Sequence, residues 1–98
     1  MPILKCHKTE FYSPLDEEIF FDALQRISAV QKIAGSGVDL FVTVTSRPSD
    51  KALRELLGLF HRYQVDLRQL ARFATKKNRK WFRAPDAYWS KAVFATRR

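Results

Sequence analysis

Cysteine is almost absent from this sequence, which carries one thiol, at Cys6. A single cysteine excludes an internal disulfide, so the fold must depend on its hydrophobic core. Glycine and proline are also scarce, with three and four residues, and no low-complexity tract or linker divides the chain. Because 46% of its 98 residues are hydrophobic, the sequence predicts one compact domain spanning residues 1–98 rather than a disordered chain.

Long apolar runs are missing as well. Charged residues interrupt the apolar start of the chain, MPILKCHKTE, which therefore lacks the core of a signal peptide. No window of the sequence reaches the length of a membrane span. We therefore expect a cytoplasmic protein with no membrane partner.

Acidic residues are scarce in the C-terminal two-fifths of the chain. Residues 61–98 contain eleven Lys and Arg against two acids, whereas residues 1–60 contain seven bases and eight acids. The net charge of +8 therefore comes from residues 61–98. A basic region of this kind favours an acidic partner, which is either a protein surface or a nucleic acid.

The strongest helix signal lies near the N-terminus. A helix is predicted from Pro14 to about Ser28, because Ser13 is a good N-cap, proline suits the first position, and acids follow in the first turn. Its apolar residues have helical spacing and are predicted to face the core. They are Leu15, Ile19, Phe20, Ala23, Leu24 and Ile27.

Strands are predicted where apolar residues alternate. Residues 2–9 read as a first strand, and residues 30–34 and 38–45 read as a hairpin around the turn sequence GSG. Pro48 then breaks the strand, and Ser49 caps a second helix from about Asp50 to Tyr63. The predicted buried face of this helix consists of Leu53, Leu56, Leu57, Phe60 and Tyr63.

Two structures are possible for the segment that follows Tyr63. Residues 63–67 alternate, as in a fourth strand, which would produce a ferredoxin-like βαββαβ fold. In the other structure Asp66 caps a helix that begins at Leu67, with Gln69 as the capping-box partner. We favour the helix because its start signal has a physical mechanism.

A last helix is predicted from Pro85 and Asp86. The expected fold class is therefore α+β, with the order β-α-β-β-α-α-α and with the helices packed on one face of a small sheet. The sheet has three strands in this fold, or four if residues 63–67 are extended.

Cations recur at helical intervals in the C-terminal region. If the helix from Leu67 continued to Arg83, five of them would share one face, which would suit an acidic partner. The same pattern is also typical of a solvated helix face that keeps a protein soluble. The candidate partner-binding residues are Arg68, Arg72, Lys76, Lys77, Arg79, Lys80, Trp81 and Arg83.

Aromatic residues interleave with these cations, as they do in proteins that stack the bases of single strands. In a small domain, however, core packing is the commoner role for each ring. Trp81 and Phe82 are adjacent, so their rings point in different directions, and one of the two is expected to be exposed.

No catalytic signature accompanies the basic region. Cys6 and His61 resemble a thiol nucleophile and its base, but no third group is evident that would orient them. Cys6 and His7 point to opposite faces of a strand, so they are not expected to share a metal ion. We therefore expect neither enzyme activity nor a cofactor or metal site.

These observations favour a non-catalytic binding module whose basic C-terminal face docks an acidic partner. The partner is expected to be a protein, and the module a small inhibitor, an immunity-type antidote or an adaptor. The alternative is an RNA- or DNA-binding protein that acts mainly through phosphate contacts. A homo-oligomer is a further possibility, in which the acidic start of the first helix docks the basic end of a second copy.

Overall fold

Three strands and two helices make up the first two-thirds of the chain, and short helices follow. The computed structural model describes residues 1–95. Its elements are β1 (Ile3–His7), α1 (Pro14–Arg26), β2 (Val30–Ser36), β3 (Asp39–Val44), α2 (Asp50–Arg62), a 3₁₀ helix (Leu67–Phe73), α3 (Arg79–Phe82) and α4 (Ser90–Phe94). The predicted α+β class is confirmed.

The central strand of the antiparallel sheet is β3, and the strand order is β1-β3-β2. The predicted hairpin is present, since β2 pairs with β3 across a turn in which Gly37 has a φ of 62°. Glycine adopts this left-handed conformation without strain. On the other side β1 pairs with β3, and Leu4 lies opposite Val42. Within residues 1–95 the sheet has no fourth strand, so the ferredoxin-like alternative is wrong.

One face of the sheet is buried under the helices, as predicted. Leu4, Cys6, Val42 and Val44 on this face are at most 1% exposed, whereas Lys5 and its neighbours on the opposite face are exposed. The predicted stripe of α2 joins the same hydrophobic core. Its buried residues are Ala52, Leu53, Leu56, Leu57 and Phe60.

The helix α1 is rotated relative to the prediction. Leu15 and Ile19 were expected in the core, but they are 64% and 50% exposed. Phe20 is fully buried, as predicted, with the ring of Tyr63 packed against it at a centroid distance of 4.8 Å. The Tyr63 hydroxyl also donates a hydrogen bond to the Asp16 carboxylate at 3.0 Å. These two contacts turn the side of α1 that carries Asp16 and Phe20 inward.

The predicted third helix is present as the 3₁₀ helix. Asp66 caps it as expected, because its carboxylate accepts a hydrogen bond from the Arg68 N–H. Gln69, however, is not a capping-box partner of the expected kind. Its side-chain amide accepts a hydrogen bond from the N–H of Lys5 and donates to the Lys5 carbonyl and to the Asp66 carbonyl. The amide therefore takes the place of a neighbouring strand at the outer edge of β1.

The last helix begins later than predicted. The segment from Pro85 forms turns, and α4 starts only at Ser90. Within these turns, the Trp89 indole N–H donates a hydrogen bond to the Phe82 carbonyl at 2.7 Å. This bond holds the turns against α3, where a continuous helix from Pro85 was expected.

Candidate functional site

A cleft lies between the β3–α2 loop and the end of the 3₁₀ helix with the loop that follows it. Its volume is about 480 Å³. Four cationic residues line it, with Arg47 on the loop and Arg72, Lys76 and Lys77 on the opposite segment, and Asp50 also lies in its wall. We call this the basic cleft. It brings Arg47 together with three cations that lie about 25 to 30 residues later in the sequence.

The loop that carries the two lysines is held by a buried asparagine. Asn78 is 6% exposed, and its side chain accepts a hydrogen bond from the Thr75 N–H at 2.8 Å and donates one to the Phe73 carbonyl at 2.9 Å. The Asn78 N–H in turn donates to the Thr75 hydroxyl. Buried polar groups with several partners fix local geometry. The turn that presents Lys76 and Lys77 is therefore preformed.

The cations of the basic cleft have no acidic partner within the described part of the chain. Ion pairs in residues 1–95 join Arg26 to Asp22 and Arg68 to Asp66, and the His7 ring contacts the Asp39 carboxylate. None of these pairs includes a cation of the cleft. Like charges gathered in one cleft repel one another, so a bound anion would relieve that repulsion. The arrangement thus suits a ligand that carries more than one negative charge.

The basic cleft contains three of the predicted partner-binding residues, and the others lie outside its lining. Arg79 and Lys80 are exposed on α3, directly after the cleft loop. Arg68 forms an ion pair with the cap of the 3₁₀ helix. Arg83 lies over the ring of Phe94, 4.3 Å from its centroid.

The continuous helix that would have aligned these cations on one face is absent. The 3₁₀ helix ends at Phe73 and α3 begins at Arg79. The intervening loop separates the two helices, so the cations are divided between the cleft, the exposed surface of α3 and an aromatic cluster.

Trp81 belongs to this aromatic cluster rather than to the cleft. Its ring lies 5.5 Å from the ring of Phe82 and 6.0 Å from that of Trp89, and the Arg54 guanidinium lies 4.2 Å from its centroid. Phe82 is fully buried and Trp81 is half-buried. Of the adjacent pair, Trp81 is therefore the more exposed, and a cation covers it. The aromatic residue in the cleft wall, Phe73, is only 4% exposed.

Sequence reasoning missed Arg47. The segment around it was interpreted only as the end of a strand, with Pro48 as the breaker and Ser49 as a helix cap. The sequence signal that was available for Arg47 is its position directly before the N-cap of a helix. Its proximity to Lys76 depends on how the two segments pack, which periodicity does not report.

The residues considered for catalysis lie in separate places. Cys6 is on the buried face of the sheet and is 1% exposed. Burial raises the pKa of its thiol to about 11, so the thiol is protonated at neutral pH and is a poor nucleophile. His7 pairs with Asp39 on the open face of the sheet. His61 is exposed and packs against the ring of Tyr88 at 4.8 Å.

The raised pKa of Cys6 predicts a loss of stability at alkaline pH. The thiol ionises near pH 9 in the unfolded chain and near pH 11 in the folded protein, so the unfolded state loses its proton first. The contribution of the buried neutral thiol to the free energy of unfolding is therefore fully present below pH 9. It falls by about 2 kcal/mol as the pH rises to 11. Urea unfolding from pH 8 to 11 should show this fall in the native protein. Cys6→Ala should lack this contribution and show a shallower fall, and equal pH slopes in both proteins would contradict the prediction.

Residues 1–95 contain no group of three or more His, Cys, Asp or Glu side chains arranged to hold a metal ion. Over the same range, no helix has the length and apolar character needed to cross a membrane. Comparison with known family models, curated proteins and solved structures finds no match to this chain.

Proposed function

We propose that this protein is a non-catalytic binding module whose basic cleft docks an acidic segment of a partner protein. The observation that carries the proposal is the convergence of Arg47, Arg72, Lys76 and Lys77 on one cleft, without an ion-pair partner in residues 1–95. A small inhibitor, an immunity-type antidote or an adaptor would act in this way.

The chemistry of the cleft suits carboxylates presented by a folded chain. Arginine binds a carboxylate through two parallel hydrogen bonds, and the lysines add mobile point charges beside it. The preformed loop around Asn78 lowers the entropy that docking must lose. The positive field would also steer an acidic partner towards the cleft and raise the association rate.

The position of the aromatic rings favours a protein over a single-stranded nucleic acid. Binding of single strands combines cations with exposed rings on which bases stack. Phe73 in the cleft wall is buried, and Trp81 is covered by Arg54. The cleft therefore offers charge without a stacking surface. Binding of a nucleic acid through phosphate contacts alone is a separate outcome, which the experiment below distinguishes.

Charge reversal in the cleft tests the proposal. The variant Arg72→Glu/Lys76→Glu/Lys77→Glu should lose its partner, with affinity reduced about 100-fold or more, because docked carboxylates would meet like charges. The matched control Lys5→Glu/Lys32→Glu/Lys91→Glu changes the net charge equally at exposed positions outside the cleft. Circular dichroism should show both variants folded.

The measurement is affinity capture from a lysate of the native host, with and without nuclease, at low and high salt. We expect one stoichiometric protein that survives nuclease, binds the control, and is lost with the cleft variant. If the cleft variant captured the partner as well as the native protein does, the cleft would not be the binding site. Capture of nucleic acid alone, with a steep fall of affinity in salt, would replace the proposal with phosphate binding.

A further inference from the structure

The exposed side of α1 carries a stripe of large apolar residues. Tyr12, just before the helix, is 87% exposed, Leu15 is 64% exposed and Ile19 is 50% exposed. Leu15 and Ile19 are four residues apart on α1, which places them side by side on the helix, and Tyr12 precedes the N-cap Ser13. Single exposed apolar residues are ordinary, but a contiguous group marks an interaction surface. The sequence pattern predicts that Leu15 and Ile19 are buried. Contact with a second molecule would bury them and would account for this pattern.

An apolar groove lies next to this stripe, between the C-terminal half of α1 and α2. Its volume is about 380 Å³, and it is lined by Ala23, Ile27, Gly58 and Leu59, with the charged residues Arg26, Glu55 and Arg62 also in its wall. Ala23 carries only a methyl group and Gly58 has no side chain, so they leave room between the two helices. A Cβ atom placed on Gly58 would meet the Tyr88 hydroxyl at 3.8 Å, which is an ordinary van der Waals contact. The volume of the groove is large enough to accept an apolar side chain.

The stripe and the groove complement each other within one surface. The projecting residues Leu15 and Ile19 belong to the N-terminal half of α1, and the groove lies beside its C-terminal half. If two copies meet with their α1 helices antiparallel, Ile19 of each copy lies over Ala23 of the other. This reciprocal contact is the property of a two-fold interface, which closes at two copies.

The charges on α1 agree with the same arrangement. The N-terminal half carries Glu17 and Glu18, and the C-terminal end carries Arg26. Antiparallel helices place the acidic half of each beside Arg26 of the other copy and also align the helix dipoles favourably. Because the protein has a net charge of +8, two copies repel least through this acidic surface.

We propose that α1 forms a two-fold dimer interface with a second copy of this chain. Leu15 and Ile19 of each copy occupy the groove between α1 and α2 of the other. This surface is separate from the basic cleft, so a dimer would present two clefts. It also differs from head-to-tail association, in which the acidic start of α1 would dock the basic end of the next copy.

Sedimentation equilibrium over about 1 to 500 μM tests the proposal on the full chain. We expect a monomer–dimer equilibrium that strengthens with added salt, because screening weakens the repulsion of the net charge. Leu15→Gln/Ile19→Gln should raise the dissociation constant about 100-fold or more, since both apolar contacts are lost twice. Neither residue is buried in the monomer, so the fold should be retained. Ile3→Gln/Val38→Gln is the matched control, at positions 56% and 60% exposed.

Several outcomes would overturn the dimer. They are a monomer throughout the concentration range, assemblies larger than two, or equal weakening by the control variant. Loss of association in Arg72→Glu/Lys76→Glu/Lys77→Glu would indicate head-to-tail docking through the basic cleft instead. Retained dimerisation in that variant, together with loss in Leu15→Gln/Ile19→Gln, would support the α1 interface whatever the cleft binds.

Discussion

Replacing Phe82 with alanine is expected to lower the free energy of unfolding by about 3–5 kcal/mol, the range for large aromatic side chains in cores. Phe82 is fully buried, and its ring packs against Trp81 at 5.5 Å and edge-on against Phe94 at 4.9 Å. Because α3 has only four residues, little local structure can compensate for the cavity. The loss would approach the whole stability of a small domain.

Urea unfolding followed by circular dichroism measures this loss without depending on the nearby tryptophans. Phe41→Ala is a suitable comparison, because Phe41 is half-buried on the open face of the sheet. It should cost clearly less than Phe82→Ala. If the two variants lost equal stability, the C-terminal aromatic cluster would not be part of the cooperative core.

The second large effect is expected at the chain's single asparagine. Asn78→Ala would leave the Thr75 N–H and the Phe73 carbonyl without their side-chain partners. Each unpaired buried group costs about 1–3 kcal/mol. Because Thr75 is exposed, the free energy of unfolding should fall by about 2–4 kcal/mol, less than the sum for two fully buried groups. The loop carrying Lys76 and Lys77 would also lose its fixed shape. Partner capture should therefore weaken although no charge has been removed.

Thr75→Ser provides the control for Asn78→Ala. Serine keeps the hydroxyl that accepts a hydrogen bond from the Asn78 N–H, so stability should change by less than about 0.5 kcal/mol. Both proteins should be compared by urea unfolding and by capture of the same partner. If Asn78→Ala had the same free energy of unfolding as the native protein, the loop would be held by other contacts.

Local signals were enough to predict most of the secondary structure. The hydroxyls of Ser13 and Ser49 accept hydrogen bonds from the N–H groups three residues later, as expected for N-caps. The hairpin and the buried stripe of α2 were also predicted from spacing alone. In each case the physical cause acts over a few residues, so the sequence displays it directly.

The errors arose where distant segments decide the structure. The rotation of α1 depends on Tyr63, whose hydroxyl binds Asp16 across 47 positions of sequence. The position of Gln69 depends on Lys5, 64 residues away. The basic cleft likewise combines Arg47 with a later loop. Charge counting identified the basic region, but only tertiary packing determines which cations face one another.

The bond between Gln69 and Lys5 also sets a limit on how these molecules can aggregate. A sheet with two open edges accepts new strands at both and can lengthen into a fibre. Here the middle of β1 is occupied by the Gln69 amide, which leaves β2 as the outer strand that could accept another. When two molecules pair through their β2 strands, neither molecule has an open edge left. Growth by strand addition would therefore stop at two chains.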